Sequence, residues 1–133
     1  MPMRIGADDF LRSTLLPTDW YPAVITSYVE DSDKNNAALH VFEAKIESGE
    51  FKDVPLRIQF SEKAMGFAKE FAEALKGRQF TKEEMAKGFS FGETQDEVKQ
   101  KTINKKIRIH ISPGMYNNRQ NNQTDGFRPY EVK

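Results

Sequence analysis

Apolar and polar residues alternate cleanly over two segments of the chain, and each alternation predicts a half-buried β-strand. Residues 54–60 read Val-Pro-Leu-Arg-Ile-Gln-Phe, and residues 107–111 read Ile-Arg-Ile-His-Ile. Because side chains on a strand point to opposite faces with a period of two, the apolar residues of each segment share one face. Arg57 and Arg108 therefore lie on the outward faces of the two predicted strands.

Three further strands are predicted from runs of β-branched and aromatic residues. They cover Trp20–Val29, Ala37–Ser48 and Phe127–Val132. In the second of these, the alternation breaks between Val41 and Phe42. The break predicts either a β-bulge at that point or a strand that is buried on both faces near its middle.

Helical periodicity replaces the strand pattern in the middle of the chain. Between Ser61 as N-cap and Gly77 at the C-terminal end, apolar residues recur at the spacing of one helix face. Thr81 and Glu84 form a capping box that predicts a short helix over Lys82–Lys87. A weaker helix is predicted from Thr94 to about Gln100. The stripe on the first helix consists of Ala64, Phe67, Ala68, Phe71, Ala72 and Leu75.

The order of these elements predicts the fold class. Three strands, a helical insert of about 40 residues and two more strands favour a mainly β protein in which the helices lie between strands 3 and 4. We expect a five-stranded antiparallel Greek-key barrel of the OB type. Residues 1–16 are predicted to be a loosely attached N-terminal arm, and residues 17–133 the domain. The segment 114–126, with the amide-rich Asn117–Asn122 at its tip, is predicted to be a loop.

Composition narrows the class of protein. The chain has 133 residues, of which 38% are hydrophobic, and its 10 Phe, 4 Tyr and 1 Trp supply enough apolar area for one core. The absence of cysteine excludes disulfides and thiolate metal sites and fits a reducing cytoplasm. No apolar run reaches the 18 or so residues of a membrane span, so we expect no membrane partner.

A net charge of zero conceals an asymmetry along the chain. Residues 1–98 carry 12 basic and 18 acidic side chains, a net charge of −6, whereas residues 99–133 carry 8 and 2, a net charge of +6. A chain divided in this way can present one basic face, which favours a polyanionic partner. The alternative is that the basic residues only solvate exposed strands.

Signatures of catalysis are almost absent from the sequence. His40 and His110 are not spaced as metal ligands, and no phosphate-binding glycine loop or nucleophile elbow occurs. The acidic pairs Asp8-Asp9 and Glu83-Glu84 stand at predicted helix starts, where the helix dipole explains them. We therefore expect no enzyme activity, no metal and no cofactor.

Basic and aromatic residues together form the candidate site. Phosphates are bound by cations that follow a groove, and unpaired bases stack on flat aromatic side chains. For each aromatic residue the alternative is a place in the core, and for Trp20 also a place as a lid over the barrel. The candidate cations are Arg57, Lys105, Lys106, Arg108 and Arg119, and the candidate stacking residues are Tyr116, Tyr130, Phe42 and Trp20.

Several short motifs resemble those of one family. The segment Leu16–Ile25, with its Trp20-Tyr21-Pro22, is followed by the turn Gly49–Asp53 and by the helix Phe67–Gly77. The late segment Asn104–Ser112 leads to Tyr116-Asn117-Asn118 and to Arg128-Pro129-Tyr130. In this order the motifs resemble the small phage-encoded single-stranded DNA-binding proteins with an OB fold.

The resemblance implies sequence-tolerant binding of single-stranded DNA during phage replication or recombination. It implies further that the protein acts in the cytoplasm of the infected bacterial host, with replication or recombination proteins as partners. The oligomeric state, monomer or dimer, stays open. The first alternative is an OB-fold module for protein interaction or virion assembly that does not bind nucleic acid. A small hydrolase or nuclease is the second.

Overall fold

A five-stranded antiparallel sheet forms the body of the protein. The structure is a computed structural model that describes residues 3–32, 36–116 and 118–130, without the side chains of Lys63, Ala64, Tyr116 and Arg119. The strand order is β3-β2-β1-β4-β5, with every neighbouring pair antiparallel. The predicted mainly β architecture is confirmed. The strands are β1 (Asp19–Ser32), β2 (Ala38–Ile46), β3 (Pro55–Ser61), β4 (Lys106–Tyr116) and β5 (Arg119–Pro129).

Helices fill the connection between β3 and β4, as predicted. A capping box begins the third α-helix, since the Thr81 hydroxyl accepts from the Glu84 backbone and the Glu84 carboxylate accepts from the Thr81 backbone. None of the helices in the described ranges has the length and the apolar composition of a membrane span. The helices are α1 (Ala7–Arg12), a 3₁₀ helix (Glu62–Phe67), α2 (Ala68–Lys76), α3 (Lys82–Lys87) and α4 (Gln95–Thr102).

Phe71 of α2 lies at the centre of the core. Its side chain is fully buried, and its ring centroid lies 4.9 Å from that of Phe42, 5.3 Å from that of Phe60 and 5.2 Å from that of Phe127. These contacts join α2 to β2, β3 and β5. The helix therefore fills the concave side of the sheet, with the inward-facing isoleucines of β4 completing the core.

The irregularity expected in β2 lies in β1 instead. The register between β1 and β2 shifts between Ile25 and Ser27, so Thr26 is the extra residue. On β2, Phe42 faces the core and Val41 is half-buried on the other face, so neither predicted explanation applies at that point. The bulge keeps Ile25 and Tyr28 both buried although they are three residues apart.

The hairpin of β4 and β5 is longer than the sequence predicts. Both strands continue past Pro113-Gly114 as far as the pair Tyr116 and Arg119, and Gln120–Asn122 pair with β4 rather than forming a loop. The prediction of a loop over 114–126 is wrong because β1 ends opposite Ile111. Beyond that point no described strand pairs with the β1 side of β4, so a proline there interrupts no ladder with β1.

The two outer edges of the sheet approach each other. The hydroxyl of Thr124 on β5 donates a hydrogen bond of 3.2 Å to the carbonyl oxygen of Arg57 on β3. Beneath this contact, the ring centroids of Phe60 and Phe127 lie 6.1 Å apart. The sheet is thus strongly curved around its core.

The N-terminal arm is held to the sheet at its end. Leu16 is buried in the core cluster, and its backbone N–H donates to Oδ1 of Asn122 at 2.8 Å. The Asn122 amide also donates to the carbonyl oxygen of Thr14 at 2.7 Å. The end of the arm is therefore less loosely attached than predicted, because one β5 amide satisfies two backbone groups of the arm.

Candidate nucleic-acid interface

The outward side chains of β1, β4 and β5 form one continuous surface, which we call the outer patch. Ile107, Ile109 and Ile111 point into the core, so the residues between them point outward, as predicted. The strand register aligns Trp20 with His110 and Gly126, and Pro22 with Arg108 and Arg128. The outer patch consists of Trp20, Lys106, Arg108, His110, Arg128 and Tyr130.

Trp20 is half-buried and is covered by a cation. The guanidinium carbon of Arg128 lies 4.0 Å from the centroid of the indole, within the range of a cation–π contact. The imidazole of His110 lies on another side, with its centroid 5.0 Å away. A Cβ atom at Gly126 would lie 3.2 Å from the indole, so glycine allows Trp20 to reach across β4 towards β5.

Two arginines face the solvent side by side. Arg108 and Arg128 are directly opposite each other on β4 and β5, where like charges are destabilising. Nε of Arg108 donates to the carbonyl oxygen of Tyr130 at 3.0 Å, which orients that side chain. Neither arginine forms an ion pair with a described carboxylate. A bound anion would therefore relieve the repulsion between them.

The positive charge of Lys106, in contrast, is already paired with a carboxylate of the protein. Its ammonium lies 2.6 Å from Oε1 of Glu47, and this hydrogen bond is the main reason that the pKa of the Lys106 ammonium is raised. The same contact, with a second one from Tyr130, lowers the pKa of the Glu47 carboxyl. The phenol of Tyr130 is half-buried beside this pair, with its ring centroid 5.5 Å from the ammonium. Lys106 and Tyr130 are therefore engaged within the protein.

His110 and Ser112 both bind Asp125. Nδ1 of His110 lies 2.5 Å from one carboxylate oxygen, and the Ser112 hydroxyl donates to the other at 2.7 Å. Burial opposes ionisation of Asp125, but the hydrogen bonds from Ser112 and His110 outweigh it and lower the pKa of the carboxyl. Since Ser112 donates to Asp125 and not to His110, the three groups lack the arrangement that activates a serine nucleophile. Among the described residues, no cluster could hold a metal ion.

The remaining predicted residues are dispersed. Arg57 is exposed on β3, where its Nε donates to Gln59 at 3.1 Å, and Lys105 is exposed just before β4. Phe42 is only 3% exposed and cannot stack on a base, because the packing of α2 against β2 encloses it. The side chains of Tyr116 and Arg119, at the tip of the hairpin, lie outside the described part of the structure.

The structure reveals an exposed aromatic residue that the sequence assigns to the core. Phe67 belongs to the predicted apolar stripe, yet 47% of it is exposed. It ends the 3₁₀ helix Glu62–Phe67. A 3₁₀ helix has 3.0 residues per turn, so the stripe derived for 3.6 residues per turn does not hold there. No pattern in the sequence marks this change of helix type.

No protein-family model and no curated protein sequence matches the chain. The resemblance to phage single-stranded DNA-binding proteins stays a prediction. The feature of the outer patch that most favours an anionic ligand is the facing pair Arg108 and Arg128, which forms no ion pair with a described carboxylate.

Proposed function

We propose that the protein binds single-stranded DNA with little sequence preference and takes part in phage replication or recombination, in the cytoplasm of the infected bacterial host. The observation that carries the proposal is the facing pair Arg108 and Arg128, which has no described carboxylate partner. Guanidinium groups bind phosphate oxygens with several donors at once. A phosphate bridging the pair would replace a repulsive contact with two attractive ones.

The exposed aromatic side chain of Phe67 favours a single strand over a duplex. Unpaired bases expose their π faces, whereas the bases of a duplex are already stacked on each other. Phe67 is 47% exposed and packs against Phe127 of β5, whereas Trp20 is covered by Arg128 and holds that cation in place. Binding of this kind needs no catalytic group, and the proposal includes no enzyme activity.

The proposal includes the finer fold, an OB-type Greek-key barrel. The contact of Thr124 with the Arg57 carbonyl and the approach of Phe60 to Phe127 support closure between β3 and β5. Such barrels bind oligonucleotides on the face of their second and third strands and on the loops beside it. In this chain, closure would bring Arg57 on β3 beside β5, the strand that carries Arg128.

The direct test compares two double variants that remove the same charge. Arg108→Gln with Arg128→Gln should weaken binding of fluorescent oligo-dT and flatten its salt dependence by about 1.4 in the log–log slope, since each phosphate contact contributes about 0.7. Lys82→Gln with Lys87→Gln, on the exposed surface of α3, should leave the slope unchanged. Equal effects of the two double variants would mean that binding does not depend on the outer patch.

Protein interaction is the second candidate, and one observation favours it. A groove of about 220 Å³ lies between α2 and α3, and Met85 and Phe89 on its border are each about half exposed. Exposed apolar side chains of this size mark interaction surfaces when they cluster. If neither single strands nor duplexes bind, this surface becomes the leading functional candidate.

A further inference from the structure

A second surface, distinct from the outer patch, has the dimensions of a ligand site. The space between the edges of β3 and β5 forms a cleft of about 580 Å³. Small-molecule sites in proteins have volumes of about 300–1,000 Å³. The cleft lies between Arg57 on one strand and the segment Asn121–Thr124 on the other, with Phe67 and Phe127 at its apolar end.

Phe67 supplies a fixed aromatic surface to this cleft. Its ring is held by Phe60 and Phe127, whose centroids each lie 6.0 Å from it, and 47% of the residue is still exposed. A side chain that is held on one side and open on the other loses little conformational freedom when a ligand covers it. Its flat surface suits a nucleobase, because each of the bases has a π face that can stack on an aromatic side chain.

Polar groups of both hydrogen-bonding signs line the same cleft as Phe67. The exposed amide of Gln123 offers a carbonyl acceptor and an NH₂ donor, and the exposed amide of Gln59 offers an NH₂ donor while its carbonyl oxygen accepts from Arg57. Arg57 is oriented by Gln59 and contributes the positive charge of the cleft. Asn122 also borders the cleft, but its amide is occupied by Thr14 and Leu16. Donors and acceptors together match the edges of a base better than they match a purely anionic or apolar ligand.

The cleft is too narrow at one end for an inserted peptide strand. A strand added between two edges would require them to be about 10 Å apart, because paired strands lie about 4.8 Å from each other. The Thr124 hydroxyl and the Arg57 carbonyl already meet at 3.2 Å. A flat base can enter the cleft from its open end. An extended peptide chain cannot run between the two edges, because they are too close at the other end.

We infer that this cleft receives an unpaired base of the bound strand, which stacks on Phe67 while the amides of Gln59 and Gln123 meet its edge. The inference rests on the proposed function, since it gives one base of the same strand a site next to Arg57. The backbone leaving the cleft would pass along β5. Arg128 lies four residues beyond Thr124 on that strand, about 13 Å away at 3.3 Å per residue.

The test measures the binding of oligo-dT and of an abasic strand of equal length to the full chain. Phe67→Ala should weaken oligo-dT binding by about tenfold, with an unchanged salt slope and unchanged affinity for the abasic strand. Phe67→Tyr, which keeps the ring, should bind within about twofold of the wild type. Phe89→Ala is the matched control, since Phe89 is 49% exposed but borders the groove beside α3.

A second measurement uses the wild type alone, so it does not depend on whether Phe67→Ala folds. Photocrosslinking of the wild type to an oligonucleotide containing 5-iodouracil should attach it to peptides that contain Phe67 or residues 121–127. If the wild type binds oligo-dT while Phe67→Ala binds it equally well, or if all crosslinks fall elsewhere, the cleft inference is overturned and the proposed function survives. If the wild type binds no single strand, the proposed function falls and the cleft inference falls with it.

Discussion

The guanidinium of Arg128 on β5 covers the indole of Trp20 on β1, with 4.0 Å between the guanidinium carbon and the ring centroid. The contact spans three strands, because β4 lies between the two residues and contributes His110 beside the indole. Trp20 is therefore not a free stacking surface. Its role in the outer patch is to hold Arg128 in place next to Arg108, and in the proposed function it orients a cation that would bind a phosphate.

The position of the Trp20 indole depends on the absence of a side chain at Gly126. Gly126→Ala would introduce a Cβ atom 3.2 Å from the indole and 3.3 Å from Cβ of His110, so the indole must shift outward. Trp20 is the one tryptophan of the chain, and its fluorescence should therefore move to longer wavelength in this variant. Gly66→Ala is the control, since no atom lies within 4 Å of its new Cβ. Identical spectra for both variants would contradict the described packing of Trp20.

Lys105 and Lys106 are neighbours with different expected roles. Lys106 is paired with Glu47, whereas Lys105 is exposed and forms no ion pair with a described carboxylate. Lys105→Gln should therefore reduce the magnitude of the salt slope of oligo-dT binding by about 0.7, and Lys106→Gln should leave it nearly unchanged. Because the two lysines are adjacent in the chain, the comparison separates the effect of the ion pair from that of position. The reverse order of effects would show that Glu47 releases Lys106 when the strand binds.

Phe71 should dominate the stability of the domain. Phe71→Ala removes a fully buried ring that contacts three strands, and such substitutions cost about 3–5 kcal/mol. That loss is a large fraction of the free energy of unfolding of a typical domain. Urea denaturation monitored by circular dichroism measures it. A midpoint equal to that of the wild type would mean that α2 does not fill the concave side of the sheet.

Glu84 should make stability depend on pH in the acid range. Hydrogen bonds from Arg78 and then Lys76 hold the pKa of this carboxyl well below its ordinary value. Because the pKa is lowered on folding, the contribution of Glu84 is complete above about pH 5 and is lost as the pH falls through the folded pKa. The stability difference between the wild type and Glu84→Gln should therefore shrink between pH 6 and pH 3.

The matched variant for this prediction is Glu83→Gln. Glu83 is an exposed neighbour in the first turn of α3 and forms no ion pair with a described residue. Its difference from the wild type should be small at both pH values in urea denaturation. A Glu84→Gln difference that stays constant from pH 6 to pH 3 would rule out the ion pairs with Arg78 and Lys76 as its source.

Local signals in the sequence were sufficient for much of the fold. The alternation in residues 54–60 predicted β3, and Thr81 with Glu84 predicted α3, because each signal depends on side chains a few residues apart. The long β4–β5 hairpin was not predicted. Gln120–Asn122 have little intrinsic preference for a strand, and only their pairing with β4 makes them one.

The candidate site was predictable only where one strand defines it. The outward position of Arg108 follows from the alternation of residues 107–111. The contact of Arg128 with Trp20 depends on β4 lying between β1 and β5, and the neutralisation of Lys106 depends on Glu47 from a distant segment. Such relationships join residues far apart in the chain, and no short motif encodes them.

In the proposed function, cations that have no ion-pair partner among the described carboxylates bind the backbone of a single strand. Four of them, Arg57, Lys105, Arg108 and Arg128, form no ion pair with a described carboxylate. The most direct measurement is a titration of fluorescent oligo-dT, and of duplex DNA of equal length, at several salt concentrations. We predict tighter binding of the single strand, with a log–log salt slope of about −3 from four contacts of about 0.7 each. Binding that is independent of salt, or equal for the two forms of DNA, would contradict the proposed binding of single strands.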